Sequence, residues 1–122
     1  MWRGNLSQDD IRIKNFLKDR LKIKRLFNSL LKKKIISGIY VFPYTEKFLL
    51  KSISSNIFNG ACVYLNPVEK EYKKLIHRFK KFKFIIIRPF GGRLKLAKKH
   101  KLNFLLNYSM NYKNIKNIIL TC

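Results

Sequence analysis

Electrostatic repulsion constrains this chain before any secondary structure does. Its 28 lysines and arginines face only six acids, a formal net charge of +22. Like charges roughly 10 Å apart in water repel by roughly 0.4 kcal/mol per pair before screening. Many such pairs oppose a compact state, so the chain must gather its apolar residues into a core and offer its cations to a polyanion. Disorder is excluded by the same composition. Hydrophobic residues make up 47% of the chain and aromatics 14%, which is too apolar for a disordered tail.

The excess of cations is spread from Arg12 to Lys116 rather than gathered in one tail. A solvated charge run or a merely soluble basic protein fits that distribution less well than a nucleic-acid surface does. The longest apolar runs, such as Phe84-Ile85-Ile86-Ile87, fall far short of the roughly 20 residues of a membrane span. No membrane partner is therefore expected. Cys62 and Cys122 are isolated, without metal-ligand spacing, and read as two reduced thiols.

Periodicity divides the chain into elements. Ser7 and Asp10 resemble a helix start, and Ile13, Phe16, Leu17, Leu21, Ile23, Leu26, Phe27, Leu30 and Leu31 recur at three- and four-residue steps. A long helix over about 8–33 follows, with Lys22, Lys24, Arg25, Lys32, Lys33 and Lys34 off its apolar stripe. Residues 35–43, β-branched and aromatic, predict a strand stopped by Pro43. Residues 68–82 predict a second amphipathic helix, begun by Asn66-Pro67. Lys70, Lys73, Lys74, Arg78, Lys80 and Lys81 lie on or beside its polar side. Residues 82–89 predict a strand buried on both faces, with Arg88 near its end. Gly91-Gly92 reads as a turn and 93–110 as a basic helix carrying Arg93, Lys95, Lys98, Lys99 and Lys101. A last apolar patch holds Ile115, Ile118, Ile119 and Leu120.

Two segments read two ways. Phe48, Leu49, Ser52, Ile53 and Ile57 have helical spacing, yet residues 46–53 also fit a strand after a turn at Pro43-Tyr44-Thr45. Residues 61–65 fit a strand or a short helix. The choice decides between two architectures.

Catalytic chemistry finds no constellation. The acids are Asp9, Asp10, Asp19, Glu46, Glu69 and Glu71, and no pair of them recommends itself for acid–base work. His77 and His100 stand alone among lysines, where contact with phosphate or solvent fits better than metal ligation. Gly91-Gly92 lacks the Gly-Lys-Ser/Thr ending of a phosphate-binding loop. The expectation is a protein that is no enzyme and has no cofactor or metal.

The stretch Asp19-Arg20-Leu21-Lys22-Ile23-Lys24-Arg25-Leu26, then Ile35-Ile36-Ser37-Gly38-Ile39-Tyr40-Val41, and then Gly60 through Leu75, resembles the KH-domain family of the small ribosomal subunit, universal small-subunit ribosomal protein three. Trp2 sits roughly where that family has an early Trp, and the resemblance covers about residues 2 to 88. It implies an α+β fold of type II KH order, α-β-β-α-α-β, with residues 46–53 as the second strand and 58–65 as a short helix. Residues 1–34 would be the first helix, 35–90 the KH-like core and 91–122 a basic C-terminal extension. The alternative is a three-stranded α/β layer with strands at 35–42, 61–65 and 82–88 and crossover helices at 44–57 and 68–81. Where the family has Gly-x-x-Gly, this chain has Asn66-Pro67-Val68-Glu69, a degenerate loop in which Pro67 and Glu69 hinder backbone approach to nucleotides.

The resemblance implies a structural constituent of the small ribosomal subunit, with small-subunit rRNA and neighbouring ribosomal proteins as partners. The family's second α/β domain has no counterpart here, so a separate chain is expected to supply it unless it has been lost. The chain is heavy in residues with A+T-rich codons, and Asp9-Asp10 without an apolar stretch is unlike a signal or transit peptide. The expected place is the mitochondrial matrix, in a mitochondrial ribosome, with synthesis inside the organelle. Other classes to weigh are an accessory subunit of an organelle membrane complex, another ribonucleoprotein component and a small nucleic-acid enzyme.

Overall fold

A computed structural model describes residues 8–120. The elements run α1 (Asp9–Lys32), β1 (Tyr40–Val41), α2 (Glu46–Ser54), β2 (Gly60–Tyr64), α3 (Lys73–Arg78), β3 (Lys83–Ile87), α4 (Leu102–Ser109) and β4 (Ile115–Ile119). A single 3-10 turn, Gly92–Leu94, lies between β3 and α4. The protein is mixed α/β, and the strand order is that of the chain, β1-β2-β3-β4. Residues up to Gly60 and residues from Ala61 onward form two compact units.

The N-terminal unit is built on α1. Asp9 and Asp10 occupy its first turn and Lys32 its last, both suited to the helix dipole. The expected cap at Ser7 lies outside the described residues, as do Trp2 and Cys122. At the far end the Ile35 amide donates to the Leu30 carbonyl and the Lys34 amide to that of Leu31, both at 3.0 Å. This is the Schellman pattern, with Lys34 at φ 56 where glycine is usual. Helix α2 is capped by Thr45, whose hydroxyl oxygen accepts from the Phe48 amide at 3.1 Å. The same hydroxyl donates to Asp9 Oδ2 at 2.5 Å, tying the start of α2 to the start of α1. Aromatic packing fills the angle between the helices. The Phe16 ring lies 5.7 Å from both Phe48 and Phe58, and Phe27 lies 6.3 Å from Phe58.

The C-terminal unit carries β2, β3 and β4 with α3 and α4. Its buried residues include Val63, Leu65, Tyr72, Ile76, Phe84, Ile86 and Leu105, each no more than 2% exposed. Strands β3 and β4 are parallel, with Phe84 opposite Ile115 and Ile86 opposite Ile118. One extra residue in β4 shifts the register between Phe84 and Ile85. Uncharged polar side chains join the elements. Asn114 donates to the carbonyls of Ile76 at 2.8 Å and Phe79 at 3.1 Å, closing the end of α3. Its own carbonyl accepts from the Phe84 amide at 2.8 Å, at the start of β3. Ser109 of α4 donates to the Leu65 carbonyl at the end of β2, at 2.9 Å.

Several expectations need correction. Residues 46–53 are helical, not the second strand of a KH core. As a strand, Phe48, Leu50 and Ser52 would share a face with no consistent apolar character, whereas a helix gathers Phe48, Leu49, Ser52 and Ile53. The Thr45 cap and Glu46 in the first turn settle the helix start. Residues 60–64 are a strand rather than a short helix, because Ala61 and Val63 are buried in alternation with half-buried Cys62 and Tyr64. The element order is therefore α-β-α-β-α-β-α-β, not α-β-β-α-α-β, and its first six elements follow the alternative α/β reading.

Other elements are shorter or different. The first strand shrinks to two residues because the Ile35 amide is taken into the α1 cap. The helix expected over 68–82 is only 73–78, because Asn66 folds the segment before it into a turn. The basic helix over 93–110 is reduced to α4, and the expected C-terminal extension contains β4. Burial of the third expected strand is uneven, complete for Phe84 and Ile86 and partial for Ile85 and Ile87. On α1, Leu21 and Leu26 of the supposed stripe are 63% and 57% exposed.

Two stability predictions follow from the caps. Asn114→Ala removes the buried donor to the Ile76 carbonyl and one of the two donors to the Phe79 carbonyl, which keeps the Phe82 amide, and is expected to cost about 1–3 kcal/mol in urea unfolding. Lys34→Gly relieves the left-handed strain at the end of α1 and is expected to stabilise by about 0.5–1 kcal/mol in the same assay.

Candidate nucleic-acid interface

Of the 28 lysines and arginines, 21 fall in two acid-free tracts, one in each unit. In the N-terminal unit, residues 20–45 hold seven lysines and arginines and no acid. Helix α1 carries most of them. Lys22, Arg25, Lys32, Lys33 and Lys34 are exposed, and Lys24 is half-buried. The acids Asp9 and Asp10 sit at the other end of the helix, committed to α2. Lys47 donates to Asp10 at 2.5 Å, an exposed pair. The hydrogen bond to Asp10, with its negative charge, raises the Lys47 pKa and keeps the amine protonated. The two ends of α1 thus differ in sign, which frees its C-terminal half to face an anion.

In the C-terminal unit, residues 72–122 hold 14 lysines and arginines and no acid at all. Lys73, Lys74, Arg78, Lys80 and Lys81 surround α3 and are exposed, as is Lys70 in the turn before it. Arg93, Lys95, Lys98, Lys99 and Lys101 line the connection from β3 to α4 and are also exposed. That connection is held by backbone bonds from Gly91 to the Arg88 carbonyl and from Leu96 to the Phe90 carbonyl. Gly91 has φ 74, and a Cβ there would meet Leu96 Cγ at 3.0 Å. Arg93 and Leu94 also lie in the left-handed region, at φ 54 and 55. Such residues cost of order 1–3 kcal/mol each and mark segments shaped by more than local preference.

Arg88 differs from the other expected contacts. It is half-buried, has φ 56, and lays its guanidinium 4.8 Å from the centre of the Tyr64 ring. The side chain braces the ends of β2 and β3 against each other.

The Asn66–Glu69 segment is a turn after a strand, unlike a KH loop between two helices. Asn66 is fully buried and uses its whole amide. It donates to Glu69 Oε2 at 2.7 Å and to the Arg88 carbonyl at 3.0 Å. Its Oδ1 accepts from the amides of Val68 and Glu69 at 3.0 and 2.8 Å. Backbone amides that would face a ligand in an open loop are thus already occupied.

Aromatic groups lie among these cations. Lys73 Nζ stands 5.7 Å from the centre of the Tyr108 ring, joining α3 to α4. His77 meets Tyr112 edge-on at 6.3 Å. The acid-free tract could have been found by marking the acids along the chain. Asn66 and Asn114 give no such signal, because an asparagine in a loop is ordinary until its partners are known.

Among the described residues no group of three or more His, Cys, Asp or Glu is placed to hold a metal ion. No helix among them is long and apolar enough to cross a membrane. No protein family, no curated protein and no solved structure matches the chain.

Cys62 is partly buried on β2, and burial pushes its thiol pKa up. The neutral thiol is a poor nucleophile, so the native thiolate fraction at any pH is below that of the unfolded chain. In a Cys122→Ser background, alkylation by iodoacetamide is expected to be slower for native than for urea-unfolded protein. Its pH midpoint should move upward in the native state, as read by mass spectrometry.

Proposed function

We propose that this chain is a non-catalytic RNA-binding constituent of a ribonucleoprotein particle, the small subunit of a mitochondrial ribosome. One observation carries the RNA reading: a folded unit with a hydrophobic core presents 14 cations and no acid over residues 72–122. Lysines and arginines in such numbers neutralise phosphates and release counterions, and each phosphate neutralised steepens the fall of affinity with salt. The mechanism is electrostatic docking, with α3 and the β3–α4 connection in one unit and the C-terminal half of α1 in the other as the charged surfaces. The ribosomal reading draws on the family resemblance at residues 19–26, 35–41 and 60–75. It does not draw on a KH core, whose element order this chain lacks. Small-subunit rRNA and neighbouring ribosomal proteins are the partners under this reading.

The test is sucrose-gradient sedimentation of a cell or organelle lysate, with sequencing of RNA bound to the protein. Co-sedimentation with small-subunit particles that nuclease abolishes supports the reading. Migration as a free, nuclease-insensitive protein at moderate salt refutes it. Charge reversal at Arg93, Lys95, Lys98, Lys99 and Lys101 is expected to weaken incorporation more than reversal at Lys22, Lys24 and Arg25. Equal incorporation of wild type and the first variant contradicts the assigned surface.

A further inference from the structure

We infer that His100, just ahead of α4, and Phe104, in its first turn, form a stacking platform for unpaired RNA bases, with the half-buried Tyr108 ring as its backing. The inference rests on the RNA-binding reading above and specifies what that surface recognises. Phe104 and Tyr108, four residues apart on α4, share one face of the helix, and His100, which precedes the extended N-cap Lys101, folds its ring against Phe104. His100 and Phe104 have ring centres 5.6 Å apart at 36°, and Phe104 and Tyr108 have centres 6.4 Å apart at 48°. The helix is anchored by the adjoining face, one residue round from the rings. Leu105 and Ser109 are fully buried, and Ser109 holds the Leu65 carbonyl. Tyr108 is half-buried with its hydroxyl inside, while Phe104 remains 50% exposed and His100 is exposed.

A half-exposed Phe in a row of rings is costly to leave in water and suits a flat apolar partner. The surroundings choose the partner. Lys98, Lys99 and Lys101 are exposed beside His100, Lys73 stands over Tyr108, and no acid occurs anywhere from residue 72 onward. A partner that offers flat rings and a negative charge at each ring satisfies both features at once. Single-stranded RNA has that chemistry: its bases stack on the rings while its phosphates run past the lysines. A duplex hides its base faces and offers only phosphates.

The experiment compares purified full-length protein binding to a single-stranded oligouridine of about a dozen nucleotides and to a duplex RNA of equal length. Fluorescence anisotropy is read at several salt concentrations. Phe104→Ala is expected to weaken single-strand binding about fivefold or more, since stacking is worth roughly one to three kilocalories per mole per base. Duplex binding and the salt dependence should not change, because no phosphate contact is removed. Phe104→Trp should retain single-strand affinity, and His100→Ala, at an exposed position, should weaken it in the same selective way. Unchanged oligouridine binding by Phe104→Ala overturns the platform. If that variant is nevertheless lost from particles, these rings are a protein contact instead. Equal weakening of both probes also overturns it. Wild type that binds neither RNA refutes the RNA-binding reading itself, a result separate from failure of the platform alone.

Discussion

Repulsion among cations that outnumber acids 28 to six governs how this protein is held together. Ion pairs can contribute little when so few acids are available, and the pair formed by Lys47 and Asp10 is exposed, where solvent screens most of its attraction. The fold relies instead on apolar burial and on neutral polar groups. Phe84, Ile86, Leu105 and Ile76 are removed from water completely. Asn66 joins the turn after β2 to the end of β3, and Asn114 joins the end of α3 to the start of β3. An amide offers both donors and an acceptor without a charge to desolvate, so it serves where a carboxylate would lack partners and a lysine would add repulsion.

That division leaves the charged surface free for a partner. Nearly all the lysines and arginines of the acid-free tracts are exposed, and the exceptions have identifiable work. Lys24 is half-buried on α1, and Arg88 stacks on Tyr64. The acids lie elsewhere: Asp9 and Asp10 bind α2, and Glu69 is held by Asn66. The same separation of sign that stresses the free protein gives it an electrostatic gain when phosphates approach.

Long-period features were the most legible from the residues. Helix α1 falls within one residue of the expected bounds because its three- and four-residue pattern persists for some six turns. The exposure of most candidate cations was also readable, since a lysine beside an apolar stripe is exposed in nearly any fold. Short segments were not. Residues 46–53 and 60–64 each allowed two structures, and the family pattern favoured the pair that the fold does not adopt. Local chemistry decided the first through the Thr45 cap, and alternating burial decided the second. Tyr108 was legible as a ring among cations, with packing its expected role, but His100 looked like an isolated neighbour of lysines until the fold ahead of α4 set it beside Phe104.

The residues alone determined that the chain is apolar enough to fold, strongly cationic, and built around one long N-terminal helix. These follow from composition and local period, which hold whatever surrounds them. Tertiary structure alone decided that Ile115–Ile119 is a strand beside β3, that Asn66 and Asn114 are structural linkers, and that Arg88 braces Tyr64. Each depends on which backbone groups and rings meet across long stretches of chain. Such meetings are set by burial of the whole core, and no window of sequence contains them.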